Sequence, residues 1–454
     1  MTHRRRYPSH ISTDTEWLGE IPAHWETHRF KALIRSAVNG VWGGEPQEDE
    51  NDVICVRVAD FDYNQLNVDP NNLTIRNIDT RHIYLRKLEQ GDLLIEKSGG
   101  GEQQPVGRVV NFTLDEKAVF SNFITRLIPN QTIHSRYLCY VFFAAYAVRL
   151  NIRSVKQTTG IQNLDLLSYL NETAPTPPFA EQIKIVTFLD HETSMIDKLI
   201  KKNRQLIKKL NEQRLAIISH KVINGLDSSK PKGESETPWL NNLPIHWKTS
   251  RLKFISYIQS GLTLGKRYDN NRILVSRPYL RVANVQDSYL DLSTITEVDI
   301  PPEDTKRYEL QPGDVLMTEG GDFDKLGRGH VWEGEIEGCL HQNHVYAVRP
   351  AREEIDPYYL SALTTSFYGK NYFTYMAQQT TNLATINKTT LGNFPCPLPP
   401  IQEQRQIVTY LNEITQEIDT LIHKVEKTIE KLEEYRVSLI STAVTGKIDV
   451  RSIV

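Results

Sequence analysis

The chain is written twice, and that repeat limits its fold more than any other feature. Trp17-Leu18-Gly19-Glu20-Ile21-Pro22-Ala23-His24-Trp25 returns about 222 residues later as Trp239-Leu240-Asn241-Asn242-Leu243-Pro244-Ile245-His246-Trp247. The same offset relates GDLL at 91–94 to GDVL at 313–316, and QTTGIQNL at 157–164 to QTTNLATI at 379–386. It also relates PPFAEQIKIVTFL at 177–189 to PPIQEQRQIVTYL at 399–411. Register slips briefly where Arg57, Val58 and Ala59 answer to Arg281, Val282 and Ala283, two residues out of step, an indel of the size that loops absorb. At 454 residues the chain exceeds one typical core, so two similar domains with connecting elements are expected.

Each half begins as short alternating apolar runs between Gly, Asn and Asp turns. Strands are predicted at 53–58, 93–96 and 124–128, with counterparts at 279–282, 315–318 and 345–348. A helix is predicted at 136–150 and again at 357–372, where Tyr137 and Leu138 match Tyr359 and Leu360. Each half is therefore an α+β globule of roughly 160 residues, a normal domain size.

After Pro178 and Pro400 the pattern becomes helical. Proline fits a first turn because its missing N–H has no partner there, and Glu181 and Glu403 suit the positive end of a helix. Apolar residues then recur in steps of three and four at Ile418, Leu421, Val425, Leu432, Tyr435 and Leu439, with Thr428 as a polar interruption. The matching positions of the first copy are Ile196, Leu199, Asn203, Leu206, Leu210, Gln213 and Ile217. This reads as a coiled-coil seam, with Asn203 and Gln213 placed to fix register. Forty residues of helix make a rod of about 60 Å. Such a rod needs more than one small globule to cover its stripe, so the two helices are expected to pair antiparallel. Between 196 and 225 basic residues outnumber acidic ones, while 418–447 is balanced and carries Glu426, Glu430, Glu433 and Glu434, which favours pairing of the two. The alternative is that each helix packs only on its own domain.

The formal net charge of −3 excludes an overall basic nucleic-acid module, so any DNA-binding charge must be local. No apolar run approaches the roughly 20 residues of a membrane span. Residues 1–10 carry three consecutive arginines without an apolar stretch, so no secretory signal is read there and a cytoplasmic location is expected. Cys55, Cys139, Cys339 and Cys396 are too scattered for a zinc knuckle or redox pair and read as reduced thiols.

Two α+β domains, each followed by a helix that opens P-P-x-x-E-Q-x-x-I-V, resemble the specificity subunits of Type I restriction-modification systems, over nearly the whole chain. Asn241-Asn242 departs from Gly19-Glu20, which weakens any specific role for that pair. The resemblance implies two target recognition domains separated by two long antiparallel coiled-coil helices in a pseudo-two-fold repeat. On this reading the domains are 1–175 and 238–397, the central helix is 176–225, a linker is 226–237 and the C-terminal helix is 398–454. It implies a non-catalytic DNA-binding subunit that reads a bipartite asymmetric site in double-stranded DNA and serves adenine methylation or restriction in phage defence. Two methyltransferase subunits would dock on the helices and restriction subunits would join the complex. No cofactor is expected in this chain; S-adenosylmethionine, ATP and Mg²⁺ would belong to the partners.

The repeat also sorts residues without an alignment. What the copies share should be frame, phosphate contact or docking; what they do not share should read bases. Trp17/Trp239, His24/His246, Trp25/Trp247 and Gly91/Gly313 are expected to be structural. Gln157, Thr158 and Thr159 with Gln379, Thr380 and Thr381 are shared polar clusters suited to phosphates or to turns. The divergent glycine-rich segments 97–108 and 319–328 are the candidates for base readout, with Lys97, Ser98, Gln103, Gln104 and Arg108 facing Lys325 and Arg328. Segments 39–52 and 262–271 are further divergent stretches, and Lys156 and Lys388 are candidate phosphate ligands.

Enzyme motifs do not hold up. Thr176-Pro177-Pro178-Phe179 resembles an amino-methyltransferase signature, but its counterpart Leu398-Pro399-Pro400-Ile401 keeps only the helix start. Asp115-Glu116-Lys117 lacks further carboxylates for Mg²⁺, His191-Glu192 lacks a second histidine, and a P-loop is absent. The alternatives to a DNA-reading adaptor are a self-contained methyltransferase or nuclease, and a scaffold that reads no sequence.

Overall fold

A computed structural model describes residues 6–158, 160–234, 240, 242–265, 272–286, 289–321, 326–327, 329–379 and 384–452. Trp239 and Asn241 lie outside them. The chain divides into two compact units, Met1–Arg204 with Glu426–Val454, and Gln205–Val425. Among the described residues no helix is long and apolar enough to cross a membrane.

The first unit is built on a six-stranded sheet in the order Ile34–Asn39, Ile124–Pro129, Leu93–Glu96, Val109–Asn111, Asn67–Val68, Phe61–Asp62. Neighbours run antiparallel except Val109–Asn111 with Asn67–Val68. Leu93–Glu96 is buried at every position, as a central strand covered on both faces must be. The helix Ser135–Ala147 packs on this sheet and buries eight of its residues, Tyr137 to Phe142 and Ala144 and Ala145. The second unit repeats the scheme with an antiparallel sheet ordered Ser256–Ser260, Val345–Pro350, Val315–Thr318, Gly329–Val331. Its helix is not the continuous 357–372 that the pattern predicts. Pro357–Thr365 stops at Ser366, whose extended backbone ends one helix while its hydroxyl caps the next, Phe367–Met376, at the Gly369 N–H. Likewise, 282–284 forms a short 3-10 turn rather than the end of a strand. The four cysteines are free and buried in the cores.

The long helices are Phe179–Asn224 and Ile401–Val444. In each unit the tryptophan-containing opening and the Pro-Pro segment lie side by side. Glu26–Arg29 pairs with Thr173–Thr176, and Lys248–Arg251 with Pro395–Leu398. That ladder sets the opening histidine on the helix start: His24 Nε2 is 2.9 Å from Glu181, and His246 Nε2 is 2.8 Å from Glu403. The next residue locks the turn. Gln182 accepts from the His134 N–H at 2.8 Å and donates to the Pro177 carbonyl at 2.9 Å; Gln404 does the same with Asp356 at 2.9 Å and Pro399 at 2.9 Å.

Each unit also holds the end of the other helix. The buried Tyr137 hydroxyl lies 3.2 Å from the Pro175 carbonyl and 3.4 Å from that of Val444, while Tyr359 lies 2.8 Å from Val222 and 3.2 Å from Pro397. Gly446 and Gly225, at φ +70° and +73°, let the chain leave each helix against the opening tryptophan. A Cβ would stand 3.1 Å from Trp25 in one case and 3.2 Å from Trp247 in the other.

The helices run antiparallel in both units. In the first, Asp197 pairs with Arg436 at 3.1 Å and Arg204 with Glu433 at 3.1 Å. In the second, Arg214 pairs with Asp419 at 2.9 Å and Lys221 lies 5.3 Å over the Tyr410 ring. The seam, however, keeps only every second of its expected positions. Ile196, Ile418 and Leu439 are buried and Leu210, Val425 and Leu432 half-buried, but Leu199, Leu206, Leu421 and Tyr435 are 43–47% exposed. The inward residues between them are Ile200 and Ile207 on the first helix and Ile422, Ile429 and Arg436 on the second. At the alternate positions the adjacent residue, most often isoleucine, packs in place of the expected one, so the seam joins both sets; Thr428, exposed, consequently interrupts nothing. Asn203 spends its amide on the Leu199 carbonyl of its own helix at 3.0 Å, and Gln213 is exposed, so neither fixes register across the seam.

This alternation separates two neighbouring truncations. Ile200→Ala is expected to cost about 2–4 kcal/mol by cavity formation, and Leu199→Ala less than about 1 kcal/mol, in thermal unfolding of the chain. Equal losses would restore the expected positions.

Candidate nucleic-acid interface

In both units, the segment leaving the central buried strand becomes the edge of a small three-stranded sheet. Ser98–Gly99 pairs with Ile161–Leu164, which forms a hairpin with Val155–Thr158. Gly320–Gly321 pairs with Ala384–Thr385, which pairs with Gln378–Gln379. In each unit the start of the glycine-rich segment and the strand that carries Gln157 or Gln379, separate in sequence, thus belong to one small sheet, a platform. Its anchors match: Leu164 N–H bonds the Lys97 carbonyl at 2.8 Å and Ile386 N–H the Glu319 carbonyl at 2.7 Å. Lys97 N–H in turn bonds Phe123 at 2.8 Å, and Glu319 N–H bonds His344 at 2.9 Å.

The loop beyond the platform has a fixed base. Ser98 donates to Asn163 at 2.6 Å, Gln162 accepts from the Val106 N–H at 3.3 Å, and the Asn151 amide donates to the Val106 carbonyl at 2.7 Å. Gly100 has φ +60°, and a Cβ there would come within 2.8 Å of Val106 N, so a side chain is excluded. Gln103 and Gln104 stand exposed beyond this base and Lys97 is half-buried. Arg108 is held rather than free: its guanidinium lies 4.2 Å over Tyr63, and its Nε donates to the Tyr146 hydroxyl at 3.1 Å. Lys156 and Gln157 are exposed on the outer strand, the Lys156 ammonium 2.7 Å from Asp165. Lys388 is exposed at the start of the helix Lys388–Gly392. Thr159, Lys325, Arg328, Thr380 and Thr381 lie outside the described residues, as do the side chains of Thr158 and Gln379.

Two cavities open beside the first platform. One, of about 440 Å³, is lined by Trp42, Arg57, Ser121 and Phe123; the other, of about 840 Å³, by Phe61, Tyr63, Gln103, Gln104 and Arg108. Val58, Ala59, Glu96 and Gly100 line both. Trp42 and Phe123 are 42% and 45% exposed, with the Arg76 guanidinium 4.3 Å over the Trp42 ring. The composite surface offers apolar and aromatic walls, amides, a guanidinium and a carboxyl, which suit the edges of bases.

Arg57, Tyr63, Glu96 and Phe123 are among the lining residues that sequence reasoning missed, whereas Trp42 falls within the divergent stretch 39–52. A signal for Glu96 existed: it is a carboxylate closing the apolar run Leu93-Leu94-Ile95, where the second copy has Thr318. Glu96 is 5% exposed, and while its N–H bonds the Arg108 carbonyl at 2.8 Å, its carboxyl makes no hydrogen bond or ion pair with any described residue. Burial pushes its carboxyl up to about 7, against the opposing pull of Arg108. In the second unit the corresponding chemistry differs. Glu319 takes His344 Nδ1 at 2.6 Å and the Tyr346 hydroxyl at 2.8 Å, beside the buried Thr318.

A family model described as the Type I restriction modification DNA specificity domain matches residues 49–210 and 244–431. The StySPI type I restriction enzyme specificity subunit of Salmonella potsdam is 23% identical over 443 residues, covering 95% of this chain and 90% of that one. A relative from Methanocaldococcus jannaschii, named as the MjaX type I restriction enzyme specificity subunit, is 33% identical over 195 residues, and the match spans 42% of this chain and 44% of that relative. In fold, the chain resembles one from a solved structure whose subject is complex assembly and conformational transition of the type I R-M system. The TM-score is 0.63 at 16% identity, over 94% of this chain and 99% of the other.

The Glu96 burial has a pH signature. The native carboxyl titrates near 7 against an ordinary 4.5, so the native state carries no ionisation penalty at low pH, loses stability as pH rises between the two values, and bears the full loss above 7. Glu96→Gln should therefore exceed wild type by on the order of 2 kcal/mol at pH 8 in denaturant unfolding, and by little at pH 5. A difference independent of pH would mean that the carboxyl is solvated in the native state.

Proposed function

Because this chain belongs to the family of Type I restriction modification DNA specificity domains, we propose that it is the DNA specificity subunit of a Type I restriction-modification complex. It reads a bipartite, asymmetric site in double-stranded DNA, one half-site per domain, and performs no catalysis. The observation that carries this reading is a shared platform with unlike walls. The same three-stranded sheet is anchored by equivalent hydrogen bonds in both units, yet Glu96, Lys97 and Phe123 in one face Thr318, Glu319 and His344 in the other. Two readers of one frame with different linings are what two unequal half-sites require.

The long helices supply the docking surface for two methyltransferase subunits. Packing on this seam leaves Met195, Leu199 and Leu206 on the first helix and Leu421 and Tyr435 on the second exposed, an apolar series that a partner's helices would cover. Because the seam elements recur in both halves, one chain can offer two equivalent docking places. Restriction subunits would join through that assembly. S-adenosylmethionine, ATP and Mg²⁺ belong to those partners, and the complex works in the cytoplasm. With a net charge of −3, DNA affinity is shared between local cations of this chain and its partners.

The test is methylation mapping in cells. N6-methyladenine should occur in a bipartite motif that vanishes when this chain is deleted. Exchanging 97–108 for the corresponding segment of a relative should change one half-site and leave the other and the gap unchanged. Alteration of both half-sites would sink the division of labour, and purified chain that methylates or cuts DNA alone would establish the enzyme alternative.

A further inference from the structure

Folding leaves the Glu96 carboxyl without the partner that burial calls for. It lines both cavities of the first platform, is 5% exposed, and has no hydrogen bond or ion pair to any described residue. Arg108 acts on it through space, but commits its Nε proton to Tyr146 and a face to Tyr63. Burying such a group is costly unless it is paired, and the second domain avoids the cost with Thr318 at the matching strand end. The approach is kept clear as well. A Cβ at Gly99 would stand 3.5 Å from Glu96 Oε1, so the glycine leaves the carboxyl open towards the cavity.

We propose that Glu96 is a base-reading residue of the first domain, accepting a hydrogen bond from the exocyclic amino group of one base, cytosine N4 or adenine N6. This rests on the DNA-reading function proposed above and names the chemistry of one position in one half-site. In its ionised form, which in the free chain predominates above about pH 7, the carboxyl carries acceptors only, so it rewards an amino group and repels the O6 and N7 of guanine or the O4 of thymine. With a base seated against them, Val58, Ala59 and Phe123 would shut out water that otherwise blunts that discrimination. The second domain cannot repeat the reading, because its nearby carboxyl, Glu319, already holds His344 and Tyr346.

The experiment uses the full chain assembled with its methyltransferase, on duplexes carrying the motif found by methylation mapping. Each cytosine of the first half-site is replaced in turn by 2-pyrimidinone, and each adenine by purine, so that only the amino group is lost. In the wild-type assembly one such replacement should weaken binding roughly ten-fold. In Glu96→Ala that replacement should cost nothing further, as a double-mutant cycle requires of interacting groups. The sensitive analogue tells cytosine from adenine. Glu96→Met, which keeps the volume without an acceptor, carries the test if the alanine variant does not fold, and unchanged discrimination at the second half-site certifies a folded protein. The full penalty persisting in a folded variant at every first half-site position overturns the role of Glu96. A wild-type assembly with no bipartite preference would instead overturn the DNA-reading function itself.

Discussion

The structure depends on a buried junction made twice, in which a tyrosine of each globule meets the start of one long helix and the end of the other. Tyr137 lies between the carbonyls of Pro175 and Val444, and Tyr359 between those of Pro397 and Val222. Around each tyrosine, a histidine of the opening motif meets the first-turn glutamate, and the following glutamine closes the turn onto the globule. The tyrosine hydroxyls and the glutamine amides here are buried and would be expensive to leave unpaired, so the junction admits few alternatives, while the histidines cover it from the solvent side at 42% and 38% exposure. The junction also fixes connectivity. If the end of each helix must satisfy the tyrosine of the globule that starts the other, the helices have to run antiparallel.

The seam follows the same exchange. Asp197 and Asp419 are repeat equivalents, and so are Arg214 and Arg436; the structure pairs Asp197 with Arg436 and Asp419 with Arg214. Each ion pair joins a residue of one copy to its complement in the other. Arg436 is buried at 6% exposure, so removing either member would leave a desolvated charge, whereas the more exposed Arg204–Glu433 pair is cheap to lose. Specificity of pairing therefore rests on the buried Asp197–Arg436 pair more than on the acidic run from Glu426 to Glu434, while the repeat-equivalent Arg214–Asp419 pair, with Asp419 58% exposed, adds less.

Much of this was legible in the sequence, and the misses have physical causes. The repeat gave the two α+β units and both long helices, because an offset kept over many residues survives local ambiguity. Which residue packs at every second step of the seam was not legible: Leu199 and Ile200, or Leu421 and Ile422, are adjacent apolar residues, and only packing chooses between them. The break at Ser366 was hidden because a serine is ordinary in a helix until its side chain caps the next turn. At the interface, the sequence separated the glycine-rich segment from the Gln-Thr-Thr cluster, since pairing of Ser98–Gly99 with Ile161–Leu164 joins strands far apart in the chain. Phe123 was invisible for the same reason, whereas Trp42 falls within the divergent stretch 39–52.

The division between shared and unshared residues is also a division of energy. The junction residues common to both copies, Glu181/Glu403, Gln182/Gln404 and Tyr137/Tyr359, are satisfied by partners within the protein, the glutamates by the exposed His24 and His246. The unshared groove residues are not all of that kind. Glu96 is desolvated without a partner, Arg108 is clamped between aromatic rings, and Trp42 and Phe123 expose ring surface to water. Groups that burden the free chain yet match the functional groups of a base are those whose deficit a bound ligand can cancel. A frame that is stable by itself can change such a lining without renegotiating its fold, which lets two copies of one domain come to read different sequences.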